Sequence, residues 1–265
     1  MKRLTLCADD FGHSPGTSAV IAELIEAGRI NATCCMALTP SWPSDWAMLQ
    51  AVADRAEIGI HLTLTDDQPL TEMPQFALGG AMPGIDQLAR RRDLPLGEIA
   101  AEIAAQFARF EAVAGRPPDF VDGHQHVHHL RGIRDLVLAE TKRSAPRAWL
   151  RDCGDTVSGM LARPFAFKAI GSAWRGRGFR AAAQRAGLST NDGFAGHYDF
   201  GAGYAALFPA FLRRPGAHHL VMVHPGADDM PGDSIGAARV REAAYLRRAD
   251  TIALAGAEGL RLSRP

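Results

Sequence analysis

Short apolar runs alternate with longer amphipathic stretches from one end of the chain to the other. Residues 4–8 read as a buried strand, and Ser14-Pro15 then offers a helix N-cap and first turn. Ala19, Ile21, Leu24 and Ile25 carry that helix to a stop at Gly28. The same reading gives strands at 32–38, 57–64, 119–121, 147–151, 193–196, 218–223 and 260–262. Helices are expected at 45–54, 97–114, 133–142, 179–186, 204–213 and 237–249. The helix at 97–114 is the clearest, with Ile99, Ile103, Phe107, Phe110 and Val113 on one stripe. Residues 66–93 break the rhythm, holding Pro69, Pro74, Pro83 and a Gly79-Gly80 pair. A loop of that length in a compact chain points to function, such as a lid.

Strands alternating with helices imply a parallel sheet. No composition break divides residues 1–265, so a single domain is expected. About seven parallel strands predict a closed or nearly closed (β/α) barrel, whose chemistry sits at the C-terminal strand ends. The strand ends carry reactive residues as that rule requires. The first ends in Asp9-Asp10-Phe11-Gly12, with His13 beside it, and the third contains His61. Residues 119–121 lead into Asp122-Gly123-His124-Gln125-His126-Val127-His128-His129. The next strand ends at Arg151, and residues 218–223 end at His224-Pro225.

Two adjacent carboxylates suit one metal ligand and one general base. In extended conformation His124, His126 and His128 share one side, because side chains alternate. Three imidazoles together point to a divalent metal. Imidazole with carboxylate favours Zn²⁺, Fe²⁺, Co²⁺ or Mn²⁺ over Mg²⁺, which prefers oxygen ligands. Trp42, Trp46, Phe76, Trp174 and Tyr198 are candidate stacking platforms for a ligand, with Trp42 and Trp46, which follow a strand end, ahead.

Charge narrows the choice of partners. Lys+Arg and Asp+Glu are 29 each, so no global attraction draws the chain to nucleic acid. Cysteines stand at 7, 34, 35 and 153 with no C-x-x-C, which fits buried thiols in a reducing, cytoplasmic setting. The apolar run before Asp9 is too short for a signal peptide, and no segment has the length of a membrane span.

Four motifs taken together carry a family resemblance: Asp9-Asp10-Phe11-Gly12, the segment from Gly59 to Thr65 (GIHLTLT), the segment from Asp122 to His128 (DGHQHVH), and Val221-Met222-Val223-His224-Pro225. In this order and spacing the chain resembles the YdjC-type carbohydrate deacetylases, a family that includes chito-oligosaccharide and hopanoid-associated deacetylases. The resemblance implies a NodB-like deformed barrel and one divalent metal held by Asp10, His61 and His124. It implies Asp9 as general base, His224 as general acid and Arg151 as the group that orients the base. His126 and His128 would contact substrate or support the ligands. The activity implied is removal of an N-acetyl group from an amino sugar by water activated at the metal. The family's metal is often described as Mg²⁺, whereas the ligand chemistry favours Zn²⁺, Co²⁺ or Mn²⁺. A homodimer is a further expectation of the family. Residues 156–204 fall outside the resemblance, and substrate choice is expected to depend partly on them. The competing readings are another metal-dependent amidohydrolase or phosphoesterase-like barrel, and a catalytically silent sugar-binding barrel. Amidohydrolase and phosphoesterase barrels usually place H-x-H after the first strand and use a later Lys. Here the first strand ends in Asp-Asp, and Lys occurs only at 2, 142 and 168.

Overall fold

The computed structural model describes residues 1–201 and 203–262. Eight strands form one sheet: β1 (Lys2–Phe11), β2 (Ala32–Cys35), β3 (Glu57–Leu62), β4 (Phe120–Gly123), β5 (Trp149–Leu150), β6 (Gly193–Ala195), β7 (His218–Val223) and β8 (Leu260–Leu262). The helices are α1 (Pro15–Glu26), α2 (Trp42–Gln50), α3 (Ile85–Arg90), α4 (Leu96–Ala114), α5 (Ile133–Ser144), α6 (Val157–Leu161), α7 (Ala166–Arg175), α8 (Phe179–Arg185), α9 (Tyr204–Phe211), α10 (Gly236–Arg248) and α11 (Thr251–Ala257). None of these helices is long and apolar enough to cross a membrane.

Seven strands run in the order β5-β4-β3-β2-β1-β7-β6, all parallel, and β8 adds beside β1. The sheet curls until its outer strands approach. Leu150 of β5 bridges to Thr190, just ahead of β6. The Asn191 amide spans the same seam, accepting from Asp152 N and donating to the Asp152 carbonyl. A side chain thus supplies hydrogen bonds that a longer strand would supply from its backbone. The expected deformed barrel of about seven parallel strands is what forms.

The central strands are buried along nearly their whole length, which explains their continuous apolar runs. Ser14 caps α1 by accepting from Thr17 N, with Pro15 in the first turn. Gly115, at φ 70°, closes α4 in the left-handed region. The apolar stripe of α4 buries Ile99, Ile103, Phe107 and Phe110 as its period predicts.

Residues 66–93 are not a lid. Met73, Phe76, Met82 and Leu88 are buried. Glu98 of α4 accepts from the backbone N–H groups of Gln75 and Phe76, and Glu102 from that of Thr71. The segment is an irregular strap fastened to α4, which satisfies backbone groups that have no sheet to join.

Candidate active site

Because all strands are parallel, their C-terminal ends open on one side. A cavity of about 370 Å³ lies there. Asp9, Asp10, His61, His124, His126 and His224 line it, together with Tyr198, Phe200 and Arg239.

Consecutive residues of a regular strand face opposite sides, so one of two adjacent aspartates should point away. The end of β1 avoids this. The β1–β2 register slips between Ala8 and Phe11, and Asp10 stands at φ 67°. Asp tolerates the left-handed region better than most residues, and the irregularity turns both carboxylates into the cavity. On the far wall Gly196 stands at φ 114°, and a Cβ there would lie 2.3 Å from the Met222 carbonyl oxygen. Only glycine fits that approach.

Asp10 lies at the centre of a three-residue cluster. Its Oδ1 is 3.2 Å from His61 Nε2 and 3.0 Å from His124 Nδ1. One donor atom from each of the three residues lies within 4.8 Å of the others. Asp10 Oδ2 accepts from Arg239 Nη2 at 2.8 Å, which leaves Oδ1 for the two imidazoles. One carboxylate oxygen and two imidazole nitrogens converging at a cavity wall suit a divalent cation of the Zn²⁺, Co²⁺ or Mn²⁺ type. His61 Nδ1–H donates to Asp122 Oδ1 at 2.5 Å, which fixes the ring with Nε2 towards Asp10. Burial opposes a charge on His61, but Asp122 and Asp10 outweigh it and lift its pKa to about 10. Without a cation, that ring therefore carries a proton between the carboxylates.

A second cluster lies against the first. Arg151 is fully buried and donates to both oxygens of Asp9 at 2.6 Å. Its Nη2 also pairs with Asp122 Oδ2 at 2.6 Å. Burial alone would raise Asp9, but Arg151 outweighs it and holds the carboxyl below the usual range. The thiols of Cys7 and Cys34 complete this layer, and burial pushes both upwards, so they stay protonated. His224 Nε2 lies 3.9 Å from Asp9 Oδ2. Burial pushes His224 down to about 4 against the pull of Asp9 and Asp10, so its ring is neutral at pH 7.

The histidine run departs from its expected geometry. β4 stops at Gly123, and residues His124–His129 form a tight 3-10 turn in which Gln125 and His126 are left-handed. The three alternate histidines therefore do not share a side. His124 and His126 reach the cavity, whereas His128 does not. His128 and His129 both donate from Nε2 to the Arg151 carbonyl, at 2.9 and 3.1 Å. They hold the backbone of the arginine that holds Asp9, so His128 is no substrate contact. Trp42 is also corrected. It is fully buried against Phe11, Trp46 and Phe110, because the segment after β2 turns inward. Trp46 and Phe76 are core residues too, and only Tyr198 among the five aromatic candidates lines the cavity.

Three contributors were not singled out from the sequence: Asp122, Arg239 and Glu242. The last two lie one turn apart on α10 and face the site together. Glu242 accepts from His224 N at 2.6 Å and from the Tyr198 hydroxyl. It thereby ties His224 to the wall that follows β6. Burial raises the Glu242 carboxyl to about 7 despite those donors. Between its ordinary 4.5 and about 7, the unfolded chain has released this proton and the folded chain retains it. Its contribution to stability therefore falls as pH rises through that window. Glu242→Gln keeps an amide that bonds both partners and cannot ionise. Urea midpoints should move in the variant's favour between about pH 5 and about pH 8, by on the order of 3 kcal/mol. An unchanged gap would mean that Glu242 is already ionised at the lower pH.

A parallel barrel thus gathers at its strand ends a carboxylate–imidazole cluster whose donor set suits a divalent cation. The chain belongs to the YdjC-like protein family, whose sequence model matches residues 3–256. It is 34% identical over 143 residues to a chitooligosaccharide deacetylase of Proteus mirabilis (strain HI4320), covering 54% of this chain and 56% of that protein. It is 39% identical over 140 residues to a chitooligosaccharide deacetylase of Yersinia pestis (strain Pestoides F), covering 52% and 55%. The chain thus spans about half the length of the curated relatives it matches. A crystal structure from Enterococcus faecalis V583, of a candidate cellobiose-phosphate cleavage protein, shares the fold. Its TM-score is 0.77 at 21% identity, covering 99% of this chain and 97% of that one.

Proposed function

We propose that this chain is a metal-dependent hydrolase that removes the N-acetyl group from an acetylated amino sugar or oligosaccharide. The observation that carries this reading is the convergence of Asp10, His61 and His124 beside Asp9 and His224 in one cavity. The curated relatives' names and the family membership point the same way. A silent binding barrel would have no need to set a carboxylate and an imidazole 3.9 Å apart beside such a cluster.

Asp10, His61 and His124 would hold a divalent ion, which would supply Lewis acidity towards water and a carbonyl oxygen. The chain's own groups then move the protons. Asp9, ionised and fixed by Arg151, accepts a proton from the attacking water. Neutral His224 has no proton of its own to give at pH 7. The one it donates to the departing amine is therefore the one that water released, relayed from Asp9. Asp122 keeps His61 in register, and His128 and His129 keep Arg151 in place. Tyr198 and Phe200 add aromatic surface to the wall of the cavity that would receive the sugar.

His224→Ala should retain metal yet lose about 10²–10⁴ in acetate release from N-acetylglucosamine oligomers. Metal content measured on the same sample separates a lost proton carrier from a damaged site. Wild-type rates in the variant would remove His224 from the mechanism.

A further inference from the structure

Residues 156–191 contain six cationic side chains (Arg163, Lys168, Arg175, Arg177, Arg180 and Arg185) and no acidic one. The whole chain carries equal numbers of both signs, so the positive charge is concentrated here. Arg163 and Arg180 are paired with Asp155 and Asp152. Arg175 and Arg177 are exposed and have no ion-pair partner among the described residues.

The same stretch exposes apolar surface. Of the eleven large apolar side chains exposed among the described residues, Val157, Leu161, Phe167, Ile170 and Trp174 fall in it. Trp174 is 73% and Phe167 70% exposed. Phe167, Ile170 and Trp174 share one face of α7, at helical spacing, and Arg175 flanks it. The other side points inward: Ser172 is buried and Lys168 donates to the Tyr198 carbonyl. The helix is therefore inverted relative to an ordinary surface helix, with its large apolar groups facing water.

We propose that the outer face of α7, with the end of α6, docks on an anionic bilayer surface. Aromatic and aliphatic side chains flanked by unpaired arginines match the chemistry of a helix that lies in the plane of a charged membrane. A second copy of this chain fits less well, because a two-fold contact would set the same cationic face against itself. α7 also brings Lys168 to the cavity, so docking sets the cavity rim close to the lipid surface.

Trp174 supplies a direct reporter, since Trp42, Trp46 and Trp149 are buried. Phosphatidylcholine vesicles with phosphatidylglycerol should shift the emission to the blue and sediment the protein, both effects weakening with salt. Vesicles of phosphatidylcholine alone should do neither to the same extent. Arg175→Gln with Arg177→Gln should weaken vesicle binding by ~30-fold. Trp174→Phe should abolish the shift while sedimentation persists. No shift and no sedimentation with anionic vesicles would overturn the proposal. So would equal binding to both vesicle types, or a concentration-dependent dimer in solution that shields Trp174. None of these readouts depends on the enzymatic reading.

Discussion

Replacing Arg151 by methionine is expected to destabilise the folded chain by about 3–5 kcal/mol, the largest effect on stability of any single substitution at this site. Arg151 has no exposed surface and bonds two buried carboxylates, those of Asp9 and Asp122. Removing it leaves Asp9 without its paired guanidinium, and Asp122 with His61 as its one ion-pair partner among the described residues, in a medium that solvates neither carboxylate. The penalty should depend on pH in a defined direction. With Arg151 present, the Asp9 pKa lies below its unfolded value. The pair therefore stabilises the fold above the unfolded pKa and loses that contribution as pH falls through the folded one. Without it, burial pushes Asp9 upwards and the carboxyl takes up a proton more readily. The gap between wild type and variant should be widest near neutrality and narrow in acid. Urea unfolding at several pH values reads this directly. Arg151→Lys should recover only part of the loss, because one ammonium cannot reproduce a fork that spans two carboxylates. An Arg151→Met chain as stable as wild type at neutral pH would show that the cluster contributes little.

The proposed metal site carries the second large effect. Asp10→Asn and His124→Ala should each abolish metal retention and reduce acetate release to background. The first keeps the size of the side chain and an oxygen for Arg239. The second touches a side chain that is 22% exposed, so its fold should survive. His126→Ala is the contrasting case. His126 lines the cavity outside the cluster, and burial keeps its ring neutral. Its loss should leave metal content intact. Mass-spectrometric metal content together with thermal melting distinguishes an emptied site from an unfolded one. A fully metallated His124→Ala protein would break the proposed ligand set.

The residues at the strand ends were legible because a parallel barrel gathers strand ends, and the apolar runs marked where the strands stopped. Asp9, Asp10, His61, His124, Arg151 and His224 all lie at such points. Arg239 and Glu242 were not legible. They come from a helix of mixed charge, and only its packing against α1 and α9 turns them inward. His128 illustrates a different failure. The expectation of a continued strand gave it the wrong direction, since alternation holds only while the backbone stays extended. Trp42 failed because an aromatic residue after a strand end serves a core as readily as a ligand. Helices α6 and α7 were invisible for a physical reason. Apart from Met160, their large apolar residues face outward, and Gly171 weakens the local helical signal.

The most direct test of the central claim is acetate release from N-acetylglucosamine oligomers by chelator-stripped protein, with Zn²⁺, Co²⁺, Mn²⁺ or Mg²⁺ restored one at a time. The account predicts no release from the stripped protein and recovery with at least one of these ions, strongest with an ion that accepts imidazole ligands. Recovery should fail in Asp10→Asn. Release that is indifferent to chelation, or absent with every ion restored, would contradict it.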